Sequence, residues 1–362
     1  ALPIYANPTT PPTRCPTPKR PHCRTSTHKH NRKIHDPPLF TTALDECARL
    51  LQVTSLSLGL LSGRSVRAQA ARSLQNLHIL EHLFHIRDRA GLSILTILTY
   101  HRIGDAEMVG ELDPEVREIN ARGFAEQIEM LRSIGTLVSL AEVRGFVQGR
   151  RNVRNPVMLA FDDGYAECRD VVVPILKRMQ VPATFFIPTA FPDAGRLFWW
   201  DRMHLFLRRC RLSEIRMQYP FPKVFDLRAG VTDAHRYLLR LVKRTKHLDL
   251  ERLFEDLERA TEVTLDATEE KEIAQATILS FRDVRALHDA GFAIASHSHA
   301  HRVLGTLAPE EVFFDLRKSR RILRDVLGTD VRTVGYPVGH VVNGSIRRAA
   351  VLAGFDVGFT NA

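Results

Sequence analysis

The stretch Val157-Met-Leu-Ala-Phe-Asp-Asp-Gly164 decides how this chain is read. Five apolar residues run together without polar alternation, the pattern of a short strand buried on both faces, as in a parallel sheet. The strand delivers two carboxylates and a glycine at its C-terminal end. In barrels of parallel strands that end is where active sites are built. Adjacent carboxylates repel each other, and a divalent metal relieves the repulsion. The natural division of labour is one aspartate as metal ligand and the other as general base. Gly164 allows a tight turn that aims both inward. Taken alone, an ordinary polar turn explains Asp-Asp-Gly better, so the rest of the chain must decide.

Working outward, short apolar runs alternate with helical patterns. Strands are expected at Ser93–Tyr100, Leu137–Ser139, Ala183–Ile187, Phe292–Ser296, Thr333–Tyr336 and Val357–Thr360. Helices are expected at Gly123–Ile134, Leu140–Gln148, Asp170–Met179, from Ser280 to near Gly291, from Pro309 to Gly328, and at Ser345–Ala353. Ser280 with Asp283 reads as a capping pair, and Pro309 with Glu310 and Glu311 as a helix start. This β-α-β-α order predicts an α/β fold with parallel strands and crossover helices. Residues 196–276 break the rhythm. They hold Trp199-Trp200, a mostly charged helical stretch from Asp233 to Ala260 and little strand signal, so they read as a helical insertion.

A second chemical motif, Ile294-Ala-Ser-His-Ser-His-Ala-His301, also follows a short apolar strand. His297 and His301 are four apart, which puts both rings on one side if the backbone turns helically. His299 then points elsewhere. Two neutral imidazoles and one carboxylate make an open zinc site with room for water. An exposed His-rich loop is the plain alternative, but two such signals at two strand ends favour a metal site.

At this point the sequence resembles the polysaccharide deacetylases, the NodB-homology carbohydrate esterases. Their first motif is similar to Phe161-Asp162-Asp163-Gly164, and their second, His-Ser/Thr-x-x-His, to His297-Ser298-His299-Ala300-His301. Val181-Pro-Ala-Thr-Phe-Phe-Ile187 between them is also typical. The resemblance spans residues 92–360. It implies a distorted (β/α) barrel of the NodB-homology type and hydrolysis of an N-acetyl group on a sugar. It implies Asp162 as the base, and Asp163, His297 and His301 as ligands of Zn²⁺ or another divalent metal such as Co²⁺ or Ni²⁺.

The third motif of that family carries an arginine that orients the base. Here the matching stretch is Val334-Gly-Tyr-Pro-Val-Gly339, with Gly335 at the arginine's place. The oxyanion donor in this motif is a main-chain N–H, here that of Val338, and Tyr336 and Pro337 are assigned to the substrate. The fifth motif, a Leu-x-His near the C-terminus, normally supplies the general acid. Leu98-Thr-Tyr-His101 instead closes the first strand, which resembles the circularly permuted branch that includes poly-N-acetylglucosamine deacetylases. His101 is therefore expected to be the acid; a structural histidine at a strand end is the plain alternative.

Trp199 and Trp200 open the insertion, where they either stack on sugar rings or dock the insertion onto the barrel; docking is the favoured reading. Residues 1–40 carry seven Lys and Arg against the single acid Asp36, so they hold +6 of the net charge of +10. With their Pro, Thr and His content they read as a disordered basic tail, and 41–91 as a helical extension. The domain proper is expected at 92–362. Five irregularly spaced cysteines argue against a disulfide framework or a cysteine-based zinc site. The first methionine is Met108, so translation is expected to start upstream or at a non-methionine codon. Leu50–Leu61 is too short and polar to span a bilayer and too far from residue 1 for an ordinary signal peptide, which favours the cytoplasm. The expected partner is an N-acetylated carbohydrate, with no nucleic acid. The competing readings are a catalytically degenerate glycan binder, a metal hydrolase of another non-peptide C–N bond, and a nucleic-acid binder using the basic tail.

Overall fold

The computed structural model describes residues 4–6, 85–86, 89–90, 94–105, 110–147, 153–339 and 342–360. The chain divides into two units, residues 1–7 with 87–362, and residues 8–86. The expected tail and helical extension lie outside the described residues, apart from 4–6, 85–86 and 89–90.

In chain order the elements are β1 (Ile4–Ala6), β2 (Thr96–Tyr100), β3 (Arg102–Ile103), β4 (Arg117–Ile119), α1 (Ala121–Ile134), β5 (Thr136–Leu137), α2 (Leu140–Val147) and β6 (Pro156–Phe161). A wide helical turn at Cys168–Val172 leads into α3 (Val173–Met179), and β7 (Thr184–Ile187) follows. Next come α4 (Trp199–Arg209), β8 (Glu214–Met217), β9 (Lys223–Asp226), α5 (Thr232–Arg244), α6 (Leu250–Thr261) and α7 (Ala267–Thr277). The chain continues through α8 (Phe281–Asp289), β10 (Ala293–Ser296), α9 (Pro309–Leu327), β11 (Thr333–Gly335), α10 (Gly344–Leu352) and β12 (Val357–Phe359).

The fold is α/β. Strands β2, β6, β7, β10, β11 and β12 lie side by side in chain order, and every neighbouring pair among them is parallel. The register brings their ends level: Tyr100 faces Phe161, Ile187 faces Ser296, and Gly335 faces Phe359. Residues just past those ends therefore share one rim. The sheet curls as a half-barrel, because residues of its two outer parallel strands meet. Ile97 of β2 and Phe359 of β12 belong to one apolar cluster with Met158, Ala160, Phe186 and Ala295. On the other face Phe161 stacks between Tyr100 and Phe185, with Phe124 of α1 edge-on. Every residue of β6 is buried, which is why its sequence is continuously apolar.

Local chemistry fixes the helix starts. Asn120 accepts from the Gly123 N–H at 2.9 Å to cap α1, worth about 1 kcal/mol. Ser280 and Asp283 form the expected reciprocal capping box of α8. The apolar stripe Phe124, Ile128, Leu131 and Ile134 then buries α1 on the sheet, at roughly 1.5–3 kcal/mol per side chain.

Two expectations need correction. Ile4–Ala6, within the stretch read as disordered, pairs antiparallel with β12 and occupies that open sheet edge. The insertion is not purely helical, because β8 and β9 form an antiparallel hairpin. Ile215 and Met217 alternate inward from exposed Glu214 and Arg216, a period too brief to stand out in sequence. Buried Asp256 of α6 fastens the hairpin by accepting the Gln218 and Tyr219 N–H groups at 2.6 and 2.8 Å. The short pair β3–β4 also went unread. No described helix is long and apolar enough to cross a membrane.

Candidate active site at the strand ends

Asp162 and Asp163 leave the end of β6, and His297 and His301 follow the end of β10. Asp163 Oδ1 lies 3.1 Å from His301 Nε2 and 3.6 Å from His297 Nε2, and Asp162 Oδ2 is 3.9 Å from His297 Nε2. All four side chains are buried. The turn that aims the aspartates is left-handed at Asp163 (φ 72°) and at Gly164 (φ 71°). A Cβ on Gly164 would come within 3.0 Å of Ile187 Cδ1, so glycine meets both the backbone and the space there.

The two histidines come together by a route the spacing did not predict. Residues 297–301 are not helical; Ser298 (φ 65°) and His301 (φ 49°) are left-handed. The ring centroids nevertheless sit 4.8 Å apart. Asp315 of α9 holds the loop, accepting the His299 and Ala300 N–H groups at 2.7 and 3.0 Å. Ser298 Oγ accepts the His301 N–H at 3.1 Å. His299 turns away, its Nδ1 2.9 Å from Thr189 Oγ1.

The protonation states suit metal ligation. His297 Nδ1 is 2.8 Å from the Gly335 carbonyl oxygen, which can only accept. The proton therefore sits on Nδ1, and the Nε2 lone pair faces the aspartates. Burial, with His301 alongside, pushes His297 down to about 3, so the ring stays neutral. Burial opposes ionisation of Asp163, but the facing His301, with His101 and His297 behind it, outweighs that and holds the carboxyl well below the usual carboxylate range. Asp163 Oδ1 is enclosed and lacks a well-formed hydrogen bond. That oxygen lies within 3.6 Å of both Nε2 atoms, and this donor set of one carboxylate and two imidazoles fits a divalent ion.

A stability prediction follows for protein stripped of metal. The unfolded ring takes up its proton near pH 6.5, while the folded ring waits until about 3. Stability from His297 is thus fully present above 6.5 and lost as pH falls toward 3, at about 1.4 kcal/mol per unit. Urea unfolding at several pH values, compared with His297→Gln, reads this slope; equal slopes would mean the folded ring is already protonated.

The other candidates lie on the same rim. His101 directly follows β2, close enough for its charge to bear on both Asp163 and His297. One cavity is lined by Thr99, Asp162, His297, Gly335 and Tyr336, among others. Burial pushes the Tyr336 hydroxyl up to about 12. Pro337 is buried and Val338 is partly exposed, with φ of 62°. A β-branched residue in that region is strained. No side chain fits at Gly335: a Cβ there would meet Phe186 Cδ1 at 2.8 Å and His297 Nδ1 at 3.2 Å.

Trp199 and Trp200 are only 7% and 5% exposed. Trp199 Nε1 donates to the His301 carbonyl at 3.3 Å, and the Trp200 ring lies 4.6 Å from the His301 ring. Their faces pack on protein rather than standing open to a sugar ring. Trp200 Nε1 donates to Tyr165 Oη at 2.7 Å, and Tyr165 donates to Asp201 Oδ2 at 2.7 Å. Asp201 Oδ1 also accepts the Asp113 N–H at 3.0 Å. Asp201→Ala would strand two buried donors and is expected to lower stability by about 2–4 kcal/mol in urea titration; a loss under 1 kcal/mol would mean that water or a neighbour replaces the carboxylate. Neither Asp201 nor Asp315 carries a sequence signal beyond a single polar residue on a helix.

Fold and rim together define a half-barrel α/β protein of the kind whose chemistry sits past the C-terminal strand ends. A family model described as polysaccharide deacetylase matches residues 149–205 and 273–358, and the chain belongs to the polysaccharide deacetylase family. The match skips 206–272, most of the insertion. Among solved structures the chain is similar to Streptococcus pyogenes deacetylase PplD in complex with acetate, at 17% identity over 72% of this chain and 81% of that one, with a TM-score of 0.44. It is similar to IcaB from Ammonifex degensii at 17% identity over 72% and 81%, with a TM-score of 0.43. It is also similar to BC0361, a polysaccharide deacetylase from Bacillus cereus, at 15% identity over 72% and 55%, with a TM-score of 0.41. No curated protein matches the chain.

Proposed function

We propose that this protein is a metal-dependent hydrolase that removes N-acetyl groups from an amino-sugar glycan and releases acetate. The observation that carries the reading is the convergence, within a polysaccharide deacetylase domain, of Asp162, Asp163, His297 and His301 past two parallel strand ends. Asp163, His297 and His301 would hold the metal, which is Zn²⁺ or a similar divalent ion. Such an ion supplies Lewis acidity toward a carbonyl oxygen and toward water.

The remaining roles belong to the chain itself. Asp162 takes a proton from the attacking water as the C–O bond forms. The Val338 main-chain N–H donates to the amide oxygen as it gains charge, a contribution of a few kcal/mol per donor. His101, protonated, gives its proton to the sugar nitrogen as the C–N bond breaks. Acetate and a free amino sugar result. The place of His101 just past β2, the strand that precedes the family match and pairs with β6, supports the circularly permuted branch and hence a poly-N-acetylglucosamine-like substrate.

The test is acetate and amine release from a panel of N-acetylated oligosaccharides, with formylated and cyclic amides beside them. Turnover of the latter alone would replace the reading by a hydrolase of another C–N bond. His101→Asn is expected to slow amide cleavage about 100-fold or more and to affect an aryl acetate far less, since that leaving group needs no proton. Equal losses on both would remove the acid role. Gly335 motivates a second reading, a catalytically degenerate glycan binder, because no arginine stands there to orient Asp162. Saccharide binding without acetate release would establish it.

A further inference from the structure

A second convergence of ligand-type side chains lies in the insertion, away from the strand-end rim. His204 of α4, His235 of α5 and Asp113, on the turn ahead of β4, bring their ligand atoms within 4.8 Å of one another. All three are buried, at 7%, 2% and 2% exposure. The two imidazoles meet edge to face with centroids 4.9 Å apart, and His235 Nε2 is 3.9 Å from Asp113 Oδ2.

The hydrogen bonds are those of ligands rather than of packed core histidines. His235 bonds the Trp200 main chain. Its Nε2 has no partner, so Nδ1 makes that bond and the Nε2 lone pair faces the cluster. A ligand histidine characteristically donates its other N–H in this way. His204 Nδ1 is likewise buried without a partner. Two such orphaned nitrogens are costly in an apolar core unless a ligand meets them. Asp113 uses Oδ1 to accept the Glu115 N–H at 2.9 Å, which leaves Oδ2 toward the histidines. Burial pushes His204 down to about 4 and lowers His235, so both rings are in the neutral form that ligates.

We propose that Asp113, His204 and His235 form a second divalent-metal site, of the borderline N/O type that takes Zn²⁺, separate from the strand-end site. Its role is structural. The ion ties α4, α5 and the turn before β4 at one point. Helix α4 carries Trp200 against His301, and Asp201 receives the Asp113 N–H. A metal here therefore braces the wall of the candidate active site without touching substrate. The proposal stands whether or not the strand-end site is catalytic.

The test uses the full chain carrying Asp163→Ala/His301→Ala, which removes two strand-end ligands together. Chelator-stripped protein is dialysed against zinc and analysed for metal. One zinc per chain is expected to remain, to raise the melting temperature, and to be lost on further His235→Gln. Asp113→Asn keeps the Oδ1 cap of Glu115 while removing the anionic oxygen, so it folds and is expected to weaken zinc at least tenfold. Should His235→Gln fail to fold, Co²⁺ loaded into the Asp163→Ala/His301→Ala protein decides. Tetrahedral visible absorption that zinc displaces supports the site. No bound metal in that protein, or a metal indifferent to Asp113→Asn, overturns it.

Discussion

Asp162→Asn is expected to lower the rate of acetate release by about 10²–10⁴-fold, the range for loss of a positioned general base. The substitution keeps the size and hydrogen-bonding shape of a side chain that is only 9% exposed. It removes the one property the mechanism needs, an oxygen that accepts a proton at neutral pH. Because Asp162 Oδ2 stands 3.9 Å from His297 Nε2 while Asp163 Oδ1 is nearer to both rings, metal content should stay near that of the native chain. A fall in turnover with unchanged metal separates the base from the ligands. Full turnover in Asp162→Asn would remove the base assignment.

The second large effect concerns the ligands and depends on how many are removed at once. His301→Ala alone strands the buried Asp163 carboxylate, since that ring, 3.1 Å away, is the chief partner that holds it ionised. Breaking a buried pair from one side costs about 3–5 kcal/mol. Asp163→Ala/His301→Ala removes both members and leaves His297 bonded to the Gly335 carbonyl, so the double variant is expected to be more stable than the single at neutral pH. Both variants should lose the strand-end metal and all measurable acetate release. Chemical denaturation alongside metal analysis reads this; a double variant less stable than His301→Ala would show that the pair is not the source of the strain.

Much of this was legible in the sequence for a physical reason. The β6 run and the residues just past it are contiguous, so the strand, its burial and the carboxylates at its end are read together. The β10 run and its histidines are equally local. The ring geometry was not. The left-handed Ser298 and His301 are held by Asp315, which sits on a helix that begins only at Pro309. A spacing of four suggested a helical turn because nothing local announces the alternative. Asp113, His204 and His235 are separated by 91 and 31 positions, and each alone looks like one polar residue on an amphipathic element. Only the packing of the insertion brings them together. The hairpin β8–β9 escaped for a related reason, since two inward residues are too few to establish a period of two.

The most direct measurement is acetate and amine release from N-acetylglucosamine oligomers by the full chain, stripped of metal by chelation and then reloaded with zinc. The expected result is no release from the stripped protein and, after reloading, acetate and free amine in equal amounts. Reloaded protein that holds zinc at the strand ends and still releases neither would contradict a deacetylase and leave a glycan-binding member of the family.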